Sequence, residues 1–91
     1  MKYPVFIPSL TDEDISYVTK SLKDGWISSN GPYVTEFESR FSEYLGTKYA
    51  TTVCNGTSAL EVALASLEIF SGEVILPSFT IASCAYAIQR V

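Results

Sequence analysis

Val53-Cys54-Asn55-Gly56-Thr57-Ser58-Ala59-Leu60 joins a β-branched run to a helix through a tight Asn-Gly turn. The stretch reads as a strand end, a turn and a first helical turn. A helix that starts this way gathers unpaired backbone N–H groups and the positive end of its dipole at one place. That place suits an anion, most often phosphate. Gly56 has no Cβ to hold an anion off. The hydroxyls of Thr57 and Ser58 can each donate one more hydrogen bond. The other reading is that Thr57 or Ser58 caps the helix and nothing binds. Caps are commoner than ligands, so the local pattern by itself weighs toward the cap.

Working outward, residues 49–54 are rich in β-branched side chains and predict a strand. A helix is expected from about Thr57 to Glu68, with Leu60, Ala63, Leu64 and Leu67 as its buried face. Ser71-Gly72 turns the chain. Glu73-Val74-Ile75-Leu76 is a short apolar run, as in a strand covered on both faces. Pro77-Ser78 ends it, and a further helix starts near Phe79 or Thr80. Strand, helix, strand, helix is the order of an α/β unit with a parallel sheet. Ligands in such sheets bind beyond the carboxyl ends of the strands. Both Asn55-Gly56-Thr57-Ser58 and Pro77-Ser78-Phe79-Thr80 meet that condition. The pattern of residues 81–91 is helical with no closing Gly, Asn or Pro, and two parallel strands alone make a poor sheet. The expectation is the N-terminal portion of a longer α/β protein.

Toward the N-terminus, Pro4 and Pro8 disfavour helix around an apolar Val5-Phe6-Ile7. Thr11 is a good N-cap, with Asp12, Glu13 and Asp14 in the first turn where the dipole favours acids. Ile15, Val18 and Leu22 recur at helical spacing, and Asp24-Gly25 ends the helix. Trp26-Ile27-Ser28-Ser29-Asn30-Gly31-Pro32 is a loop by composition. It is either a connection anchored by a buried Trp or a ligand-contacting loop with an aromatic wall; the first is the commoner. A second helix is expected over residues 33–45. Val34, Phe37, Phe41, Tyr44 and Leu45 form its core stripe, while Glu36, Glu38, Ser39, Arg40 and Glu43 face out. Gly46 suits the C′ position.

Composition narrows the function classes. Apolar residues make up 47% of the 91 and charged residues 18%, with a mean hydropathy of +0.20. So apolar a short chain reads as an interior piece of something larger, or as half of an intimate dimer. Net charge is −4, with no basic run, which disfavours nucleic acid. No apolar run reaches membrane-spanning length, and Met1-Lys2-Tyr3-Pro4-Val5-Phe6 lacks a signal pattern, so cytoplasm is the default. There is no histidine, and Cys54 and Cys84 form no CxxC pair, which disfavours a zinc site of the usual Cys/His kind and Ser-His or Cys-His nucleophilic catalysis within this chain. Both cysteines are expected as small buried side chains.

The ordered set Gly25-Trp26-Ile27-Ser28-Ser29-Asn30-Gly31-Pro32, Phe37-Glu38, Phe41, Tyr49-Ala50, Asn55-Gly56-Thr57-Ser58-Ala59-Leu60 and Glu73-Val74-Ile75-Leu76-Pro77-Ser78-Phe79-Thr80 resembles the DegT/DnrJ/EryC1/StrS sugar aminotransferases. The likeness spans nearly the whole chain and leans toward the perosamine-synthase type, which aminates a 4-keto nucleotide sugar. It implies the start of the aspartate-aminotransferase fold (fold type I): an α/β architecture whose parallel or mixed sheet carries flanking helices, here truncated. Residues 1–32 would form an arm, a helix and a substrate loop. Residues 33–91 would begin the large domain that binds pyridoxal 5′-phosphate.

By that resemblance, Asn55, Gly56, Thr57, Ser58 and Ala59 bind the cofactor phosphate, and this tips the balance away from the bland cap. Trp26, Ile27, Ser28 and Ser29 lie near the nucleotide sugar. Ala85 stands where some relatives place an aromatic residue on the cofactor ring. Ser71-Gly72-Glu73 is one residue shorter than the family's usual Gly-Asp-Glu run. The chemistry needs a lysine to hold the cofactor as a Schiff base and a carboxylate to protonate its ring nitrogen. Both lie downstream in the family, and Lys2, Lys20, Lys23 and Lys48 match no such motif. No catalytic residue is therefore assigned. The resemblance also implies an amino donor such as glutamate and a homodimer. Two other classes remain open: a non-catalytic truncated remnant, and a small independent phosphate-binding α/β module.

Overall fold

The computed structural model describes residues 3–91, so Lys2 and the first residues of the arm lie outside it. Four helices follow one another: α1 (Asp12–Lys23), α2 (Pro32–Leu45), α3 (Gly56–Ser66) and α4 (Ala82–Arg90). The chain divides into two units, Met1–Ala50 and Thr51–Val91.

In the first unit, α1 starts where the sequence places it. The Thr11 side chain accepts from the Asp14 N–H at 3.2 Å, and the Asp14 carboxylate accepts from the Thr11 N–H at 2.7 Å. This reciprocal pair is a capping box. Donation from the Thr11 N–H and then from the Thr11 hydroxyl, also at 2.7 Å, holds the Asp14 carboxyl below its ordinary pKa. A carboxylate depressed in this way stabilises the helix above the unfolded pKa and stops doing so as pH falls through the folded value. An NMR titration should therefore find the Asp14 carboxyl protonating below the ordinary carboxylate range, with the two bonds from Thr11 to that carboxylate weakening in the same step. Titration at the ordinary value would contradict it.

α2 begins at Pro32, one residue before the expected start, because proline at the first helical position gives up a donor that would be unpaired anyway. It ends at Gly46, which takes a left-handed φ of 67° and donates its N–H to the Glu43 carbonyl at 3.1 Å. Phe37 and Phe41 stack at 5.4 Å between centroids. Lys48 is exposed, with Nζ 5.1 Å from the Tyr49 ring centroid.

In the second unit, α3 packs against α4. The half-buried residues of α3 are Thr57, Ser58, Glu61 and Leu64; those of α4 include Ser83, Cys84 and Ile88 around the fully buried Ala87. An ion pair joins the helices, Arg90 to Glu61 at 2.9 Å. α3 ends two residues sooner than expected, with Glu68 turning left-handed at a φ of 54°.

Three expectations need correction. Neither residues 49–54 nor 73–76 form a strand; among the described residues the chain is helical and irregular, without the parallel or mixed sheet. A strand exists only when a neighbour takes its N–H and C=O groups, and these two segments do not pair with each other. Second, the expected stripes are largely uncovered. Leu60, Leu67, Ile15, Val18 and Leu22 are all exposed, and Ala87 is the only buried apolar side chain among the described residues. Third, Cys54 is exposed and Cys84 half-buried, because the strand that would have sunk Cys54 is not formed.

The exposed area gives the scale. The chain exposes 8303 Å², where a compact 10.0 kDa monomer exposes about 5,200 Å² and two separate bodies of half that mass about 6,300 Å². The excess of roughly 2,000 Å² is the size of a large protein–protein interface.

Candidate functional site

The cradle is built from one turn. Asn55, extended at φ −163° and ψ 171°, is the N-cap of α3. Its Oδ1 accepts from the Ser58 N–H at 2.9 Å and its carbonyl from the Ala59 N–H at 3.1 Å. The expectation that Thr57 or Ser58 might cap the helix is thereby corrected. Asparagine is among the strongest N-caps, and the Asn55-to-Ser58 spacing was the signal that could have found it.

This has a chemical consequence. With Asn55 as the cap, the Thr57 hydroxyl is left without a partner among the described residues. The N–H groups of Gly56 and Thr57 lie in the first turn, where a helix has no acceptor of its own. The Ser58 hydroxyl lies 3.4 Å from the Cys54 sulfur, a weak partner that a stronger acceptor displaces. A Cβ at Gly56 would meet nothing within 4 Å, so the space beside that glycine is open. One small turn thus offers two N–H donors and two hydroxyls beside a helix N-terminus.

The donor set fits the phosphate of pyridoxal phosphate and no other part of it. Residues 51–91 contain no lysine and no aspartate, and their one cation, Arg90, is paired with Glu61. The Pro77-Ser78-Phe79-Thr80 loop precedes α4, with the Thr80 hydroxyl 3.3 Å from the Cys84 sulfur; no hydrogen bond joins this loop to the 55–58 turn among the described residues. Ala85 sits on α4 and is exposed.

The loop of the first unit carries hydrogen bonds of its own. Trp26 is half-exposed rather than buried, and Ile27, Ser28 and Ser29 are exposed. The Ser28 hydroxyl accepts from the Asn30 N–H at 3.2 Å. Beside the loop, a cleft of about 620 Å³ is lined by Tyr17, Val18, Leu22, Trp26, Tyr33 and Phe37 among others. Tyr33 donates to the Asp24 carboxylate at 2.8 Å, and its pKa is raised, chiefly by desolvation and then by that bond.

Among the described residues there is no cluster of side chains able to hold a metal ion, and no helix long and apolar enough to cross a membrane.

Comparison with known proteins decides the lineage. The profile of the DegT/DnrJ/EryC1/StrS aminotransferase family matches residues 8–91. The chain belongs to that family. Over 91 residues it is 48% identical to a GDP-perosamine synthase of Escherichia coli O157:H7, covering 98% of this chain and 25% of that protein. A GDP-perosamine synthase of Vibrio cholerae is 47% identical over 78 residues, 85% of this chain and 21% of that protein. A dTDP-4-amino-4,6-dideoxy-D-glucose transaminase of Escherichia coli is 37% identical over 87 residues, 93% and 23% respectively. The chain thus spans about a quarter of the length of these curated relatives. No solved structure matches it at the same stringency.

Proposed function

We propose that this chain is the phosphate-holding and substrate-loop portion of a pyridoxal-phosphate aminotransferase that aminates a keto nucleotide sugar. The substrate class we favour is a GDP-4-keto-6-deoxyhexose, GDP-4-keto-6-deoxymannose in particular, with GDP-perosamine as product for polysaccharide biosynthesis. Glutamate is the proposed donor. The observation that carries the reading is the start of α3, where Asn55 takes the capping role and leaves the Thr57 hydroxyl and the first-turn N–H groups for an anion.

The cofactor, when bound, supplies the electron sink for amino transfer. This chain's part is to hold it. The Gly56 and Thr57 N–H groups and the Thr57 and Ser58 hydroxyls donate to the phosphate oxygens, and Asn55 and Ala59 fix the turn. Trp26, Ile27, Ser28 and Ser29 contact the nucleotide sugar from a loop held outside the helices. Residues 1–32 serve the substrate, and residues 33–91 open the cofactor domain. Residues 49–54 and 73–76 become strands once the rest of the polypeptide supplies neighbours. The exposed apolar face is covered in the same way, in a cytoplasmic homodimer. The excess exposed area speaks against the small independent module.

A graft tests the reading. This chain is placed in the Escherichia coli O157:H7 GDP-perosamine synthase in exchange for the aligned quarter. The graft should bind pyridoxal phosphate and aminate the keto sugar from glutamate. A folded graft without cofactor binding would overturn the assignment.

A further inference from the structure

The loop of the first unit leaves α1 through a Schellman end at Gly25 and is then held by side-chain contacts that such an end does not require. Both backbone polar groups of Trp26 go to one residue. Its N–H donates to the Ser21 carbonyl at 2.9 Å, and its carbonyl accepts from the Ser21 hydroxyl at 2.7 Å. The Trp26 ring lies against Gly31. A Cβ built on Gly31 would sit 2.7 Å from Cε3, 3.2 Å from Cδ2 and 3.3 Å from Cζ3, so the ring covers the glycine face-on and any larger residue must displace it. Gly25, left-handed at a φ of 77°, reverses the chain just before the Trp. Tyr33 on α2 then bonds Asp24 at the end of α1, closing the base of the loop at 2.8 Å.

The consequence is selective. The Trp26 backbone is bonded to Ser21 and its ring lies against Gly31, while the residue stays 46% exposed and Ile27 78%. Anchored backbone with free side chains is the arrangement that presents contact groups without an ordering cost at binding.

We propose that Ser21, Gly31 and the Asp24–Tyr33 pair are positioning residues that hold the 26–29 loop in its substrate-binding pose; this rests on the function proposed above. Their role is to hold Trp26, which lines the adjacent cleft together with Ser21 and Tyr33.

The test uses the grafted full-length enzyme. Gly31→Ala drives the ring off its seat, and Ser21→Ala frees the Trp26 carbonyl. Each should raise KM for the keto nucleotide sugar about tenfold, since a small misplacement of a positioning group is felt strongly. KM for glutamate, the half-reaction with glutamate alone and the affinity for pyridoxal phosphate should not move. Ser21→Thr keeps the hydroxyl and should restore KM. A merely structural role would shift both substrates together. An unchanged sugar KM, an equal change for glutamate, or no rescue by Ser21→Thr overturns the proposal. If the unsubstituted graft aminates no keto nucleotide sugar, the functional reading fails before any substitution is made, and the proposal falls with it.

Discussion

Thr57→Asp in the grafted enzyme is expected to abolish retention of pyridoxal phosphate while leaving α3 folded. The two effects separate because of where Thr57 sits. An acid in the first turn of a helix interacts favourably with the dipole, so the substitution does not weaken the helix itself. Asn55 remains the cap, and its bond to the Ser58 N–H is untouched. The cofactor phosphate, however, would meet a like charge at about 4 Å. At the effective dielectric of a partly buried site, one such pair costs about 4 kcal/mol, or roughly a thousandfold in affinity. No cation among residues 51–91 is free to offset it, because Arg90 is committed to Glu61. Thr57→Ser, which keeps the hydroxyl, should bind nearly as well as the parent. The measurement is cofactor content after dialysis, with far-UV circular dichroism to show that the helix persists. Full retention by Thr57→Asp would mean that the phosphate sits elsewhere.

The second large effect is that of isolation. The 91-residue chain by itself is expected to show no transamination with glutamate and any keto nucleotide sugar, in the presence of saturating pyridoxal phosphate. The Asn55-Gly56-Thr57-Ser58 turn supplies no group to hold or move a proton at the reacting carbon. Lys20 and Lys23 belong to α1, Lys48 is exposed beside Tyr49, and residues 51–91 have no lysine at all. The same isolation predicts strong binding of a hydrophobic dye and self-association. Its cause is the exposure of Ile15, Val18, Leu22, Phe37, Leu60 and Leu67 with only Ala87 buried among the described residues. Amino transfer by the isolated chain would contradict the first expectation. A cooperative melt of a compact monomer would contradict the second and restore the independent module.

What the sequence disclosed and what it hid divide along a physical line. Features settled within a few residues were legible. Thr11 with its acidic first turn begins α1, and Gly46 ends α2 in the left-handed conformation that glycine tolerates. The small turn at Asn55-Gly56 does open a helix. Features that depend on a partner were not. Residues 49–54 have strand composition, but a ladder needs a neighbour, and none is present among the described residues. Leu60 and Leu67 have the spacing of a buried face, but burial needs something to lie on them. The turn was legible as a helix N-terminus, yet the capping role fell to Asn55 rather than to the hydroxyl residues beside it. The hold on Trp26 was hidden although local, because neither the Ser21 hydroxyl's choice of the Trp26 carbonyl nor the seating of the ring on Gly31 follows from residue type or periodicity.

The measurement that bears most directly on the account is a crystal structure of the grafted enzyme with pyridoxal phosphate. The account places phosphate oxygens within about 2.7–3.2 Å of the Thr57 N–H nitrogen and hydroxyl, at the N-terminus of α3. A phosphate bound wholly by other residues, with the Asn55-Gly56-Thr57-Ser58 turn facing only solvent or protein, would contradict it.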